Sequence, residues 1–119
     1  MSTHSTIGVK HPDGRISGCY VHYDGHPHHM MPALEDYLSK FTTTGLTSLI
    51  VRAQVKGGIR SFNTVDQKGS LFEGSYTDLL DDDEPYIIDE LNFYEDHGGT
   101  FAWYLVDYET GKIEKTEKW

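Results

Sequence analysis

Between Tyr23 and Pro32 the hydrophobic pattern of this chain changes from strict alternation to a helical spacing, and no other feature constrains its fold as strongly. Before the switch, Ile16 to Tyr23 alternates. Side chains of a strand point to opposite faces in turn, so Cys19, Val21 and Tyr23 share one face and Tyr20 and His22 the other. After it, Met31, Leu34, Tyr37, Leu38 and Phe41 recur every three or four residues, with Glu35, Asp36, Ser39 and Lys40 opposite. Asp24-Gly25 ends the strand and Pro27 stiffens the connection. Pro32 lacks the N–H that an interior helix turn needs, which predicts a helix beginning near Met31.

The flanking segments extend the same logic. Ser5 to Lys10 alternates, and Pro12-Asp13-Gly14-Arg15 is turn chemistry, giving an N-terminal hairpin with Ile16–Tyr23. Beyond the break at Thr42-Thr43-Thr44-Gly45, Leu46, Leu49, Ile50 and Ala53 predict a second, shorter helix that stops at Gly57-Gly58. Val51 and Val55 leave a strand open as the alternative over residues 46–56. Ile59 to Val65 suits another short strand, and residues 67–85 a partly ordered loop. Tyr86–Tyr94, Thr100–Tyr108 and Lys112–Lys118 are expected as three strands of an antiparallel meander.

These elements predict one α+β domain over residues 1–119, its antiparallel sheet built from hairpin and meander and covered on one face by one or two helices. A chain of 119 residues can bury one core without staples. In Thr100–Tyr108 both faces are apolar, Phe101, Trp103 and Leu105 on one and Ala102, Tyr104, Val106 and Tyr108 on the other. Helices account for one face; a homodimer contact is the expectation for the other.

Charge narrows the function. Nineteen acidic against ten basic residues give −9, which argues against direct nucleic-acid binding by phosphate neutralisation and favours a partner protein with a basic surface. Ten of the acids lie from Glu73 to Asp96, a stretch without Lys or Arg. Asp78, Asp81, Asp82, Asp83, Glu84 and Tyr86 are its candidate partner-binding residues, with Leu79, Leu80 and Pro85 as apolar anchors able to dock after charge has steered the encounter. The plainer reading is a solvated charge run that keeps the protein soluble. The lone Cys19 cannot form an internal disulfide and suits a reducing cytosolic compartment, as a core residue rather than a nucleophile. The apolar runs are far below the roughly 20 residues needed to cross a bilayer.

Two kinds of small-ligand chemistry remain open. His22, His26, His28, His29 and Asp24 crowd the strand-to-helix junction. His22, Tyr23, Asp24 and His26 are therefore candidate ligand-binding residues, and a divalent metal could sit in the same loop. Only His22 and Asp24 share a face by alternation; as base and orienter they would serve a small metal-dependent hydrolase. No HExxH spacing supports this, and Asp24 is equally a turn former. A sponge for a small nucleotide signal is the other alternative, drawing on Tyr20, His22, Tyr23, Arg15, Arg52 and Arg60 against the opposing charge of −9. Gly57-Gly58 follows a helix rather than opening one, so it is no phosphate cradle.

The opening Met1-Ser2-Thr3-His4-Ser5-Thr6-Ile7-Gly8, the Asp13-Gly14 turn, and Val21-His22-Tyr23-Asp24-Gly25-His26-Pro27 before a helix with Leu34 and Tyr37 resemble a family of small tailed-bacteriophage proteins. Members begin Met-Ser-Thr-Arg-Ser-x-Ile and carry Cys-His-Trp-Asp-Gly-Tyr-Pro before a Leu-rich helix. The likeness covers about the first third, with looser echoes in Leu46-Thr47-Ser48-Leu49 and Trp103-Tyr104. Val21, Tyr23 and His26 stand where the family has Cys, Trp and Tyr, which removes any Cys-dependent role at that position. The resemblance implies an accessory protein expressed in the cytoplasm of a bacterial host, and phage proteins of this sort commonly occupy host or defence proteins.

Overall fold

The computed structural model describes residues 3–62, 77–82, 84–95 and 97–118. The N-terminal hairpin forms as the alternation requires: β1 (Ser5–Lys10) pairs antiparallel with β2 (Ile16–Val21), Gly8 opposite Gly18. Its turn is closed by the Asp13 carboxylate, which accepts from the Arg15 backbone N–H at 3.0 Å and holds the Arg15 guanidinium at 2.9 Å.

Helix α1 spans Pro27–Lys40, starting four residues before the expected Met31. Pro27 takes the first-turn position that suits an imino acid, and Pro32 lies inside the helix. The break that Pro32 would enforce does not occur. The carbonyl it leaves without a donor, four residues back, belongs to the exposed His28, where water can reach it. Met30, Ala33, Leu34 and Tyr37 are buried, and Met31, Leu38 and Phe41 flank them. Helix α2 (Thr43–Val55) resolves the open choice over 46–56 in favour of a helix. Thr42 caps its start, accepting from Gly45 N at 3.0 Å. Its end is a Schellman motif: Gly58 N donates to Ala53 O at 2.8 Å and Gly57 N to Gln54 O at 3.3 Å, both glycines at positive φ. An added Cβ at Gly58 would meet the Tyr20 carbonyl at 2.6 Å.

Among the described residues seven strands form one mixed sheet: β3 (Ile59–Phe62), β4 (Thr77–Leu79), β5 (Ile88–Asp89), β6 (Ala102–Asp107) and β7 (Ile113–Glu117) join the hairpin in the order β4-β3-β2-β1-β6-β7. The pairs β1–β6 and β2–β3 are parallel and the rest antiparallel. The chain is thus a single α+β unit in which the hairpin sits at the centre of the sheet rather than at its end. Parallel partners need long crossovers, and the two helices supply the one between β2 and β3. The loop expected over 67–85 lies mostly outside the described residues; its described part contributes β4, which pairs with β3.

Of the expected strand Tyr86–Tyr94 only Ile88–Asp89 is extended, pairing with Ser17 and Gly18 of β2 on the edge that β3 uses further along. Turns follow. Asp89 Oδ1 accepts from Leu91 N and Asn92 Oδ1 from Asp89 N, side-chain bonds that replace a ladder.

One face of the sheet gives Ile7, Val9, Cys19, Val21, Ala102, Tyr104 and Val106 to a core completed by both helices. On the other face Ile88 and Phe93 cover Trp103 and Leu105, each only 7% exposed. The apolar surface that suggested a homodimer contact is therefore occupied by the chain's own segment. Phe93 fits because the cross-strand pair Gly8 and Gly18 presents no side chains beneath it: an added Cβ would lie 2.5 Å from the ring at Gly8 and 3.1 Å at Gly18.

Phe93→Ala is expected to cost about 3–5 kcal/mol in urea denaturation, as buried aromatic truncations do. Gly8→Val should cost about 1–3 kcal/mol by overpacking the same contact. Because both changes act on one ring, the double variant should lose clearly less than the sum.

Candidate functional site

The strand-to-helix junction is built by its backbone. Asp24 adopts a left-handed conformation at φ 56°, and a Cβ on Gly25 would meet Thr3 O at 2.7 Å. Gly25 N donates to Thr3 O, and the buried Tyr104 hydroxyl donates to Gly25 O at 2.6 Å, tying the turn to β6. Burial pushes the Tyr104 phenol up, so it stays a donor.

That geometry separates the candidate ligand residues. Strand β2 ends at Val21, so the alternation that would place His22 and Asp24 on one face stops before Asp24, which is exposed and shapes the turn. His26 Nε2 is hydrogen-bonded to Thr3 Oγ1 at 2.8 Å, its ring edge-on to Phe101 and stacked with His28. His29 Nε2 donates to Phe62 O. Among the described residues no three His, Cys, Asp or Glu side chains converge on a point where they could hold a metal ion. His22 Nδ1 is paired with the Tyr20 hydroxyl and not with Asp24. Cys19 is fully buried, and burial pushes its thiol up, as fits a core residue.

His22 instead joins a cluster on the face away from the helices. The His4 ring stacks on it with centroids 4.8 Å apart, and His4 Nδ1 donates to His22 O at 2.7 Å. The Tyr20 hydroxyl lies 2.8 Å from His22 Nδ1, and the exposed Tyr23 meets the His22 ring edge-on at 4.5 Å. Burial, with Tyr86 and Tyr23 nearby, pushes the Tyr20 phenol up to about 12. Burial first, then His4 and Arg60, lowers the pKa of His22. A protonated Tyr20 donating to a neutral His22 leaves the proton of His22 on Nε2, while His4, protonated on Nδ1, offers Nε2 as an acceptor. The pair can thus present one donor and one acceptor side by side, without an anion clamp. The sequence does not mark His4 as a partner, although the alternation of β1 carried one residue upstream of Ser5 puts it on this face.

The arginines proposed for nucleotide capture stay apart. Arg15 is in the hairpin turn with Asp13, Arg52 on the exposed side of α2, and Arg60 in β3 at 3.7 Å from Asp78.

The acidic residues gather on one side. Asp78, Asp81, Asp82 and Glu84 are all exposed; Asp83 lies outside the described residues. Asp82 N donates to Lys56 O and Asp82 Oδ1 accepts from Glu84 N, so this turn sits against the C-terminal end of α2. Carboxylates there oppose the helix dipole, a placement that stability alone does not favour. Tyr86 N donates to Gln54 O, which carries the chain along the same helix end. Tyr86, Ile87, Leu91 and Tyr94 then stand 40%, 63%, 90% and 53% exposed among Asp89, Glu90 and Glu95. His97 Nε2 donates to Asn92 O and so accepts the Tyr86 hydroxyl on Nδ1 at 2.7 Å; Trp103 Nε1 donates to Glu95 O. The segment is a ledge with apolar teeth, braced from behind by Phe93. Ile87, Leu91 and Tyr94 were hidden in the sequence because a strand would have turned alternate residues inward. The turn-forming Asp89 and Asn92 carried the signal.

No family model, curated protein or solved structure matches this chain. No helix among the described residues is long and apolar enough to cross a membrane.

The histidine cluster makes a pH prediction. A lowered His22 pKa means the folded state binds its proton less readily than the unfolded chain, whose value is near 6.5. Its contribution to stability is full above that value and is lost as pH falls below it toward the folded value. His22→Gln should therefore flatten the fall in stability between about pH 7 and about pH 5 in parallel urea titrations. An unchanged slope would remove His22 from the titration.

Proposed function

We propose that this protein acts by binding, using the ledge from Asp78 to Glu95 to occupy a basic surface on another protein. The observation that carries the reading is the exposure of Ile87 and Leu91 inside a stretch whose charges are all acidic. Exposed apolar side chains ringed by charge of one sign suit an interface in which electrostatics steers the encounter and the apolar residues hold it. The scattered arginines and the net charge of −9 weigh against anionic ligands, nucleotide signals included.

The resemblance of the first third to small tailed-phage proteins gives the reading a setting. In it, the protein works in the cytoplasm of a bacterial host and inhibits or modulates a host or anti-phage defence protein, one whose basic surface ordinarily meets nucleic acid.

The test is affinity capture from nuclease-treated bacterial lysate, with mass-spectrometric identification and titration of the purified partner. A stoichiometric basic protein is expected, its affinity falling as salt rises. Leu91→Asp should weaken it by about tenfold or more, as loss of a central apolar anchor does. The pair Asp81→Asn and Asp82→Asn should slow association while leaving the melting temperature equal or higher, since charges opposed to the α2 dipole are removed. Equal retention by all variants, or no partner at all, would overturn the reading.

A further inference from the structure

The sheet face that Phe93 covers continues past the ring toward the β6–β7 turn. There, three adjacent strands present their side chains on the same side. Lys10 of β1 stands opposite Asp107 of β6, Leu105 of β6 opposite Glu114 of β7, and Lys112 lies beside Asp107, whose N–H donates to its carbonyl at 2.8 Å. With Thr110 these residues line a recess of about 270 Å³, to which the mostly covered Leu105 contributes its exposed edge. That volume is slightly below the range of drug-sized pockets, so its occupant is small.

Among the described residues no close ion pair ties the charges of the recess together, although Lys10, after the hydrogen bonds from Thr110 and Glu109, helps hold the Asp107 carboxyl below its usual range. Asp107 Oδ1 accepts from the N–H groups of Glu109 and Thr110, both at 2.9 Å, and so belongs to the turn. Among the described residues Lys10, Lys112 and Glu114 form no ion pair within 4.0 Å. Two ammonium groups and two carboxylates thus line the recess, with Leu105 as its apolar lining residue. A simple anion would meet Glu114 and the field of −9; a simple cation would meet two lysines. A molecule with both charges and no net charge meets neither penalty.

We propose that this recess binds a small zwitterion of the α-amino acid class. The Lys10 and Lys112 ammoniums take its carboxylate, Glu114 its ammonium, and Leu105 an apolar side chain. This site is separate from the acidic ledge.

The test is a titration of the full chain with L-leucine, followed by amide NMR spectra. Isocaproate, which lacks the ammonium, and isoamylamine, which lacks the carboxylate, are the controls. L-Leucine is expected to shift the amides of Lys10, Leu105, Lys112 and Glu114 saturably, with both controls at least about tenfold weaker. Lys112→Met and Glu114→Gln should each weaken L-leucine by about tenfold, and since both residues are exposed the spectra should otherwise keep their dispersion. The proposal is overturned if L-leucine gives no saturable shift, if the shifts survive in the Lys10→Met/Lys112→Met double variant, or if isocaproate binds as tightly as L-leucine, which would mark a plain anion site.

Discussion

The seating of one aromatic ring on two glycines organises the second face of this protein. Gly8 and Gly18 pair across the central hairpin and together leave a flat place on the sheet, and Phe93 fills it. Without that contact, Trp103 and Leu105 would lose their cover and the segment around Asp89 would keep only short local hydrogen bonds. With it, a stretch rich in carboxylates, which repels itself and prefers water, is held against the sheet. The apolar ring supplies what the charges cannot. Exposed Ile87 and Leu91 are then fixed outward by the same turns that point Phe93 inward.

Much of this fold was legible where the signal is local. The period switch after Tyr23 located strand β2 and helix α1, Gly57-Gly58 located the end of α2, and the aromatic run Thr100–Tyr108 between two turn signals located β6. The start of α1 was misplaced because Pro32 normally breaks a helix interior, and its harmlessness depends on the exposed His28 before it. The parallel pairing of β1 with β6 joins segments almost a whole chain apart, and no local pattern encodes it. Its trace was the apolar character of β6 on both faces. In sequence the second face resembles a dimer surface, because its cover, Phe93, lies in a segment with the pattern of a strand.

The candidate site was legible in composition and not in geometry. Histidine density marked the junction, yet the left-handed Asp24 and the close approach of Gly25 to Thr3 turn those side chains apart, while His22 finds His4 and Tyr20 instead. The acidic stretch was recognisable as charge. What gives it the character of a binding surface, apolar residues held exposed within it, follows from the Asp89 and Asn92 turns and became apparent only with the fold.

A binding ledge must be held rather than loose, and native-state hydrogen exchange tests this most directly. In the wild-type protein the amides of Tyr86, Asp89, Asn92 and Glu95 should be protected well beyond their unfolded rates. In Phe93→Ala their protection should collapse, while amides of the paired strands β1 and β6 exchange more slowly than these. Fast exchange at those four amides in the wild type, or protection untouched by the loss of Phe93, would contradict it.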